Sequence, residues 1–165
     1  MFNRIQMVLS ALHAHKVDFV LCGGVACVLQ GCERTTQDLD VYIALQPANL
    51  QRAIKAFRSI NFQPRIPEPM EALLEEEKRK QWLSEKNAIV YTLVSPDGIL
   101  QTDIFLSYPV PWQELRENAY KMTIGDTPIL VSSRQDLIRA KQHIHPQREK
   151  DMWDIRVLKE LEKNE

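Results

Sequence analysis

No stretch of this chain stays apolar for the roughly 20 residues that a membrane-spanning helix requires, so no membrane partner is expected. A surplus of one charge is missing too. The 21 Lys and Arg stand against 22 Asp and Glu, a formal net charge of -1. That balance gives no global field to draw in nucleic acid and leaves room only for a local basic site. Cysteine is scarce and odd in number. Cys22, Cys27 and Cys32 recur at five-residue intervals, without the spacing or fourth ligand of a structural zinc site and without an even set for disulfides. They are expected to be small buried hydrophobes in a reducing compartment. The first residues, MFNRIQMVLSALHAHK, are broken by polar side chains and lack a cleavage-site pattern. No signal peptide is expected, and a cytoplasmic location follows as the default.

Glycine is sparse, five in all, yet two are adjacent, Gly23-Gly24. The glycine-lysine-hydroxyl run of a P-loop is absent, and the third glycine of a dinucleotide fingerprint has no counterpart. What is present suits an ordinary soluble core, with 44% hydrophobic and 26% charged residues. The length predicts one domain over 1–165, with 133–163 as its C-terminal helical portion.

Ile5, Val8, Leu9 and Leu12 recur at helical spacing and predict an amphipathic helix over 2–15. VDFVLC, 17–22, reads as a short strand, the glycine pair as a turn, and 25–29 as a helix closing at Gly31. A strand is expected over 39–45. Pro47 then opens a helix running to Ser59 with Leu50, Ile54 and Phe57 buried. Three prolines predict a loop over 61–69 with little regular structure, and the charged run after it reads as a surface helix or flap. Strands over 89–94 and 99–106 flank an SPDG turn, and a second hairpin is expected around Gly125-Asp126. Ser133 caps a helix to about Gln142, and a last helix carries Met152, Ile155, Leu158 and Leu161. The order predicts an α/β (α+β) fold, a mixed β-sheet backed by helices, with further helices at the C-terminus.

The chemistry concentrates in GCERTTQDLDVYIA, 31–44. Alternate residues of a strand share a face, so Asp38 and Asp40 point together while Leu39 and Val41 turn to the opposite, buried side. If the strand holding Asp103 pairs nearby, a third carboxylate joins them. Three such charges repel and raise one another's pKa unless cations intervene. Mg²⁺ uses carboxylate oxygens together with substrate phosphates, which predicts phosphoryl or nucleotidyl transfer at a two-metal site. Gly23 and Gly24 would let phosphate oxygens reach backbone N–H groups, although a tight turn alone also explains them. Arg34, Thr35 and Thr36 either bond phosphate or hold the approach loop. Lys141 either meets triphosphate, neutralises the acidic site or stays solvated. Arg148 and Lys150 lie near Asp151 and Asp154, where an ion-pair network competes with substrate binding. His143 and His145 read as helix-end decoration, His13 and His15 lack partners for a metal site, and Trp82, Trp112 and Trp153 read as core or groove-edge packing.

Gly23-Gly24, the run Arg34-Thr35-Thr36-Gln37-Asp38-Leu39-Asp40 and the separate Thr102-Asp103-Ile104 together resemble the minimal nucleotidyltransferases of the polymerase-beta-like superfamily, especially the AbiEii-like branch. A weaker tail resemblance includes Asp136-Leu137, Lys141, Arg148, Lys150-Asp151 and Asp154, so most of 17–158 is covered. The resemblance implies a mixed sheet, two Mg²⁺ ions and a nucleoside triphosphate donor. It makes Asp38, Asp40 and Asp103 the catalytic and metal-binding carboxylates, with Gly23, Gly24, Arg34, Thr36 and Lys141 as candidate nucleotide-binding residues. Many relatives carry Gly-Ser where this chain has Gly23-Gly24, which removes a hydroxyl from the phosphate site, although this branch often has two glycines. The implied acceptor is a small molecule or an RNA end. The alternatives are an inactive, scaffold-like interaction protein and a toxin-like enzyme that modifies RNA ends, and a homodimer or protein partner is left open.

Overall fold

The computed structural model describes residues 2–86 and 89–165. Seven strands form one mixed sheet: β1 (Phe19–Cys22), β2 (Asp38–Ile43), β3 (Gln63–Pro64), β4 (Val90–Val94), β5 (Gln101–Phe105), β6 (Tyr120–Ile124) and β7 (Thr127–Val131). Their order across the sheet is β3-β4-β5-β2-β1-β7-β6. The helices are α1 (Phe2–Ala14), α2 (Gly23–Leu29), α3 (Pro47–Ser59), α4 (Glu76–Lys86), α5 (Trp112–Asn118), α6 (Arg134–Gln142) and α7 (Glu149–Lys163), with a 3-10 turn at Met70–Leu74.

β2 sits at the centre, antiparallel to β1 and parallel to β5. Its alternation divides the sheet's two faces. Leu39, Val41 and Ile43 are fully buried with Ile104 in the main core, to which α1 and α3 contribute Val8, Leu9, Leu12, Leu50 and Phe57. α3 forms because its apolar residues recur every three to four positions behind a first-turn proline. Its one buried polar side chain is satisfied. Asn49 donates to the carbonyls of Asp18 (2.9 Å) and Ala44 (2.8 Å) and accepts from the Asp18 amide (2.8 Å). These bonds tie the helix to one end of the β1–β2 pair, where Asp18 leads into β1 and Ala44 leaves β2.

On the other face, the Asp38–Asp40 phase continues into Tyr42. Tyr42 and Phe105 cover a smaller core of Val20, Cys22, Val110 and Leu115, closed by Tyr108 and Trp112. One end of this face is therefore apolar and sealed, and the other is acidic.

α5 was not expected from the sequence; its seven residues bury only Leu115 fully and carry no apolar stripe. The proline-rich loop contains β3, which pairs Pro64 with Leu93 at the sheet's edge, where a missing amide donor is tolerated. α4 is pinned mainly by Trp82, stacked on Tyr91 with ring centroids 5.7 Å apart. Within it, Glu76 and Lys80 form an ion pair at 3.4 Å. The SPDG turn, the Gly125 hairpin and the Ser133 cap all appear, the last accepting from the Asp136 amide at 3.1 Å. The three cysteines are buried and unpaired by disulfides. Among the described residues, no helix is long and apolar enough to cross a membrane.

Candidate active site

The β2–β5 register sets Asp40 directly beside Asp103, and β4 sets Thr92 on Asp103's other side. Thr92 uses that position to donate to Asp103 Oδ1 at 2.6 Å. Gln101 reaches Asp38 Oδ1 at 3.4 Å and accepts from Arg65, so the proline-rich loop leans on the site through one side chain. Neither Thr92 nor Gln101 was marked by the sequence. Thr92 was findable only once the β4–β5 register was known.

Negative charge is under-compensated here. Burial first, then the charges of Asp103 and Asp38, push the Asp40 carboxyl up to about 7. Burial also raises Asp103, with the Thr92 hydrogen bond opposing it. Lys141 and the Gly24 backbone pull Asp40 the other way, without cancelling the rise.

Gly23 and Gly24 begin α2 instead of forming a separate turn before it. Gly23 has φ +66°, and a Cβ there would stand 2.0 Å from Asp40 Oδ2. A Cβ on Gly24 would stand 2.6 Å from Thr36 Oγ1 and 3.3 Å from an Arg34 guanidinium nitrogen. The pair thus gives Asp40, Thr36 and Arg34 the space to pack against the start of α2.

Arg34 and Lys141 converge on Asp154, a fully buried carboxylate of α7. Both cations use Oδ2, with Lys141 at 2.9 Å, while Oδ1 has no hydrogen-bond partner among the described residues. Lys141 also lies 3.8 Å from Asp151, which Arg148 grips at 2.6 and 3.0 Å. The ion-pair network foreseen for the tail forms in part: Arg148 pairs with Asp151, but Asp154 is held by Lys141 and Arg34, and Lys150 makes no ion pair among the described residues. Lys141 is buried within it rather than solvated. Lys150 is exposed, and His143 is the exposed C-cap of α6.

Cys27 and Cys32 lie under this network, their sulfurs and an Asp154 oxygen all within 4.8 Å of one another. The Cys32 hydrogen bond and burial push the Cys27 thiol up. Two cations already on the same carboxylate oppose a metal ion there, and packing is the better reading. The oxygens of the three aspartates are not all drawn within 4.8 Å. Their donor set nevertheless fits a hard cation: three carboxylates on one sheet face, two of them raised by burial and by their neighbours' negative charge.

This geometry has relatives. The family model described as "Nucleotidyl transferase AbiEii toxin, Type IV TA system" matches residues 8–165. The chain belongs to the AbiEii nucleotidyltransferase family. No curated protein matches it at significant similarity. Among solved structures, the lincomycin-bound lincosamide antibiotic adenylyltransferase LnuA superposes with a TM-score of 0.63 at 17% identity, covering 96% of both chains. The antibiotic-resistance factor ANT(2'')-Ia, in complex with adenylyl-2''-tobramycin, gives 0.59 at 11% identity, covering 98% of this chain and 92% of the other. An antigenic nucleotidyltransferase-like protein from Paracoccidioides brasiliensis gives 0.58 at 17%, covering 97% and 75%. At these identities the likenesses establish the fold of this AbiEii-family chain, a nucleotidyltransferase-like mixed sheet flanked by helices.

Proposed function

We propose that this protein transfers a nucleoside monophosphate from a nucleoside triphosphate to a hydroxyl-bearing acceptor and releases pyrophosphate. The carrying observation is the in-register pair of Asp40 and Asp103 on adjacent parallel strands, with Asp38 in phase and positive charge lacking. Asp38, Asp40 and Asp103 would hold Mg²⁺, which when bound supplies charge neutralisation for the phosphates and lowers the proton affinity of the attacking hydroxyl. Asp103, which accepts a hydrogen bond from Thr92, would receive that hydroxyl's proton as the new oxygen–phosphorus bond forms and pyrophosphate departs. Gly23 and Gly24 keep side chains away from the donor's phosphates. Arg34 and Thr36 border the start of α2, and Lys141, on α6, pulls the Asp40 carboxyl down. The Asp154 network holds Arg34 and Lys141, so their role is to set the local potential and the shape of the approach loop. Alignment and charge stabilisation carry most of the rate gain in such a site.

The test incubates the folded protein and Mg²⁺ with labelled nucleoside triphosphates, small hydroxyl compounds and cell RNA, following label transfer and pyrophosphate. Asp38→Asn and Asp103→Asn are expected to abolish transfer while leaving the circular dichroism spectrum intact. Full turnover in both variants would remove these residues from the mechanism.

A further inference from the structure

Beside the acidic end of the sheet runs a groove of about 610 Å³, lined by Arg34, Thr35, Glu149, Lys150, Met152, Trp153 and Arg156. Its volume lies within the usual span of small-molecule sites. It does not contain the three aspartates but touches their approach loop through Arg34 and Thr35, four and three residues before Asp38. The same Arg34 guanidinium stands next to Gly24. One end of the groove therefore meets the place where a donor's phosphates are proposed to lie.

Two features of its wall suit a ligand. Trp153 is 48% exposed and Met152 50%, side by side in a helix whose other apolar residues turn inward. Arg156 lies over the Trp153 ring, its guanidinium carbon 4.8 Å from the centroid, which orients the indole. Arg34 is held by Asp154, while Lys150 and Arg156 make no ion pair among the described residues and share the wall with one carboxylate, Glu149. A flat aromatic surface bordered by local positive charge matches a nucleotide: the base stacks and the phosphate pairs. A neutral or cationic apolar partner would use the indole but leave the cations unmatched.

We propose that this groove binds a nucleotide, with its base on Trp153 and its phosphate toward Arg34 and Lys150. This rests on the transferase reading above for what the groove serves, and it deepens that reading. The shared chemistry has two sources, the base of the donor triphosphate or the terminal nucleotide of an acceptor strand.

Binding of three probes is measured by calorimetry and tryptophan fluorescence, with Mg²⁺ present. The probes are α,β-methylene nucleoside triphosphates, inorganic tripolyphosphate and a five-nucleotide single-stranded RNA. A nucleotide-bearing probe is expected to quench the wild-type signal, and Trp153→Phe to remove that quenching. Trp153→Ala should weaken the same probe roughly tenfold, the size of one base stack on an aromatic ring. Tripolyphosphate affinity should stay within twofold, and so should the midpoint of thermal unfolding. Loss confined to the triphosphates assigns the groove to the donor base, and loss confined to the strand assigns it to the acceptor. Lys150→Ala with Arg156→Ala should flatten the salt dependence of the affected probe. Unchanged affinity for every base-bearing probe in Trp153→Ala overturns the proposal. A protein that binds nucleotide on Trp153 yet transfers nothing with any donor keeps this inference and sinks the transferase reading. A transferase indifferent to Trp153 does the reverse.

Discussion

Replacing Asp40 by Asn tests the electrostatics of the site without any substrate. An acid whose pKa rises on folding holds more protons in the native protein than in the unfolded chain between the two values, so stability falls as pH climbs through that window. Here the window runs from the ordinary 3.8 to about 7. The Asp40 contribution is therefore absent below the lower value, grows through the window and becomes a constant penalty above the upper one. Asn carries no such charge. The two pH units between 5 and 7 correspond to about 3 kcal/mol, or about 6–12 °C in melting temperature for a chain of this length. Melting wild type and Asp40→Asn in parallel from pH 5 to pH 8 with a chelator cancels the other titrating groups. The variant's melting temperature is expected to exceed that of wild type by a margin that widens with pH and levels off above pH 7. Millimolar Mg²⁺ should narrow the margin at pH 8. A margin that stays constant with pH would refute the claim that Asp40 is under-compensated, and with it the main physical ground for a cation at this site.

Asp154→Ala strips Arg34 and Lys141 of their shared buried carboxylate and is expected to cost about 3 kcal/mol or more in urea unfolding. Gly23→Ala forces a side chain into left-handed backbone and onto Asp40. A backbone cost of about 1–2 kcal/mol should accompany a much larger fall in kcat than in stability, read by turnover and calorimetry together. Thr92→Val removes the hydroxyl that holds Asp103 down. The acid limb of the pH–rate profile should move to higher pH while the melting temperature changes little.

The strand phase of β2 was legible because its alternation is unusually clean: Asp38, Asp40 and Tyr42 on one side, Leu39, Val41 and Ile43 on the other. Helices α3 and α6 were legible because a proline, a serine cap and an apolar stripe mark them locally. What escaped depends on long-range pairing. Thr92 acquires its role only through register with Asp103, Asn49 only through the loops around β1 and β2, and α5 has one buried leucine to announce it. Lys141 and Asp154 were noticed, yet nothing in a charge run says which members will be buried. That decision is made by α6 packing on α7, which removes both from water and joins them to Arg34.

The two charge clusters explain each other. In the tail network, Arg34, Lys141 and Arg148 meet Asp151 and Asp154, three cations against two carboxylates. In the sheet cluster, Asp38, Asp40 and Asp103 have no cation of their own in contact among the described residues, and Lys141 acts on Asp40 only from a distance. Had the fold needed only stability, the spare positive charge would sit in contact with the aspartates, and Asp40 would not be pushed toward neutrality. Instead, α7 holds Arg34 and Lys141 back with Asp154, so the approach loop stays shaped while the carboxylates keep their unmet negative charge. A site arranged this way gains most from a mobile cation that arrives with a polyphosphate, since each supplies what the other lacks. Reversing the arrangement should reverse the preference. Asp154→Asn frees Lys141 to approach Asp40, and Mg²⁺ affinity measured by calorimetry should then fall even though no residue of the carboxylate cluster has changed. Unaltered Mg²⁺ affinity in a folded Asp154→Asn protein would mean the two clusters are electrostatically independent.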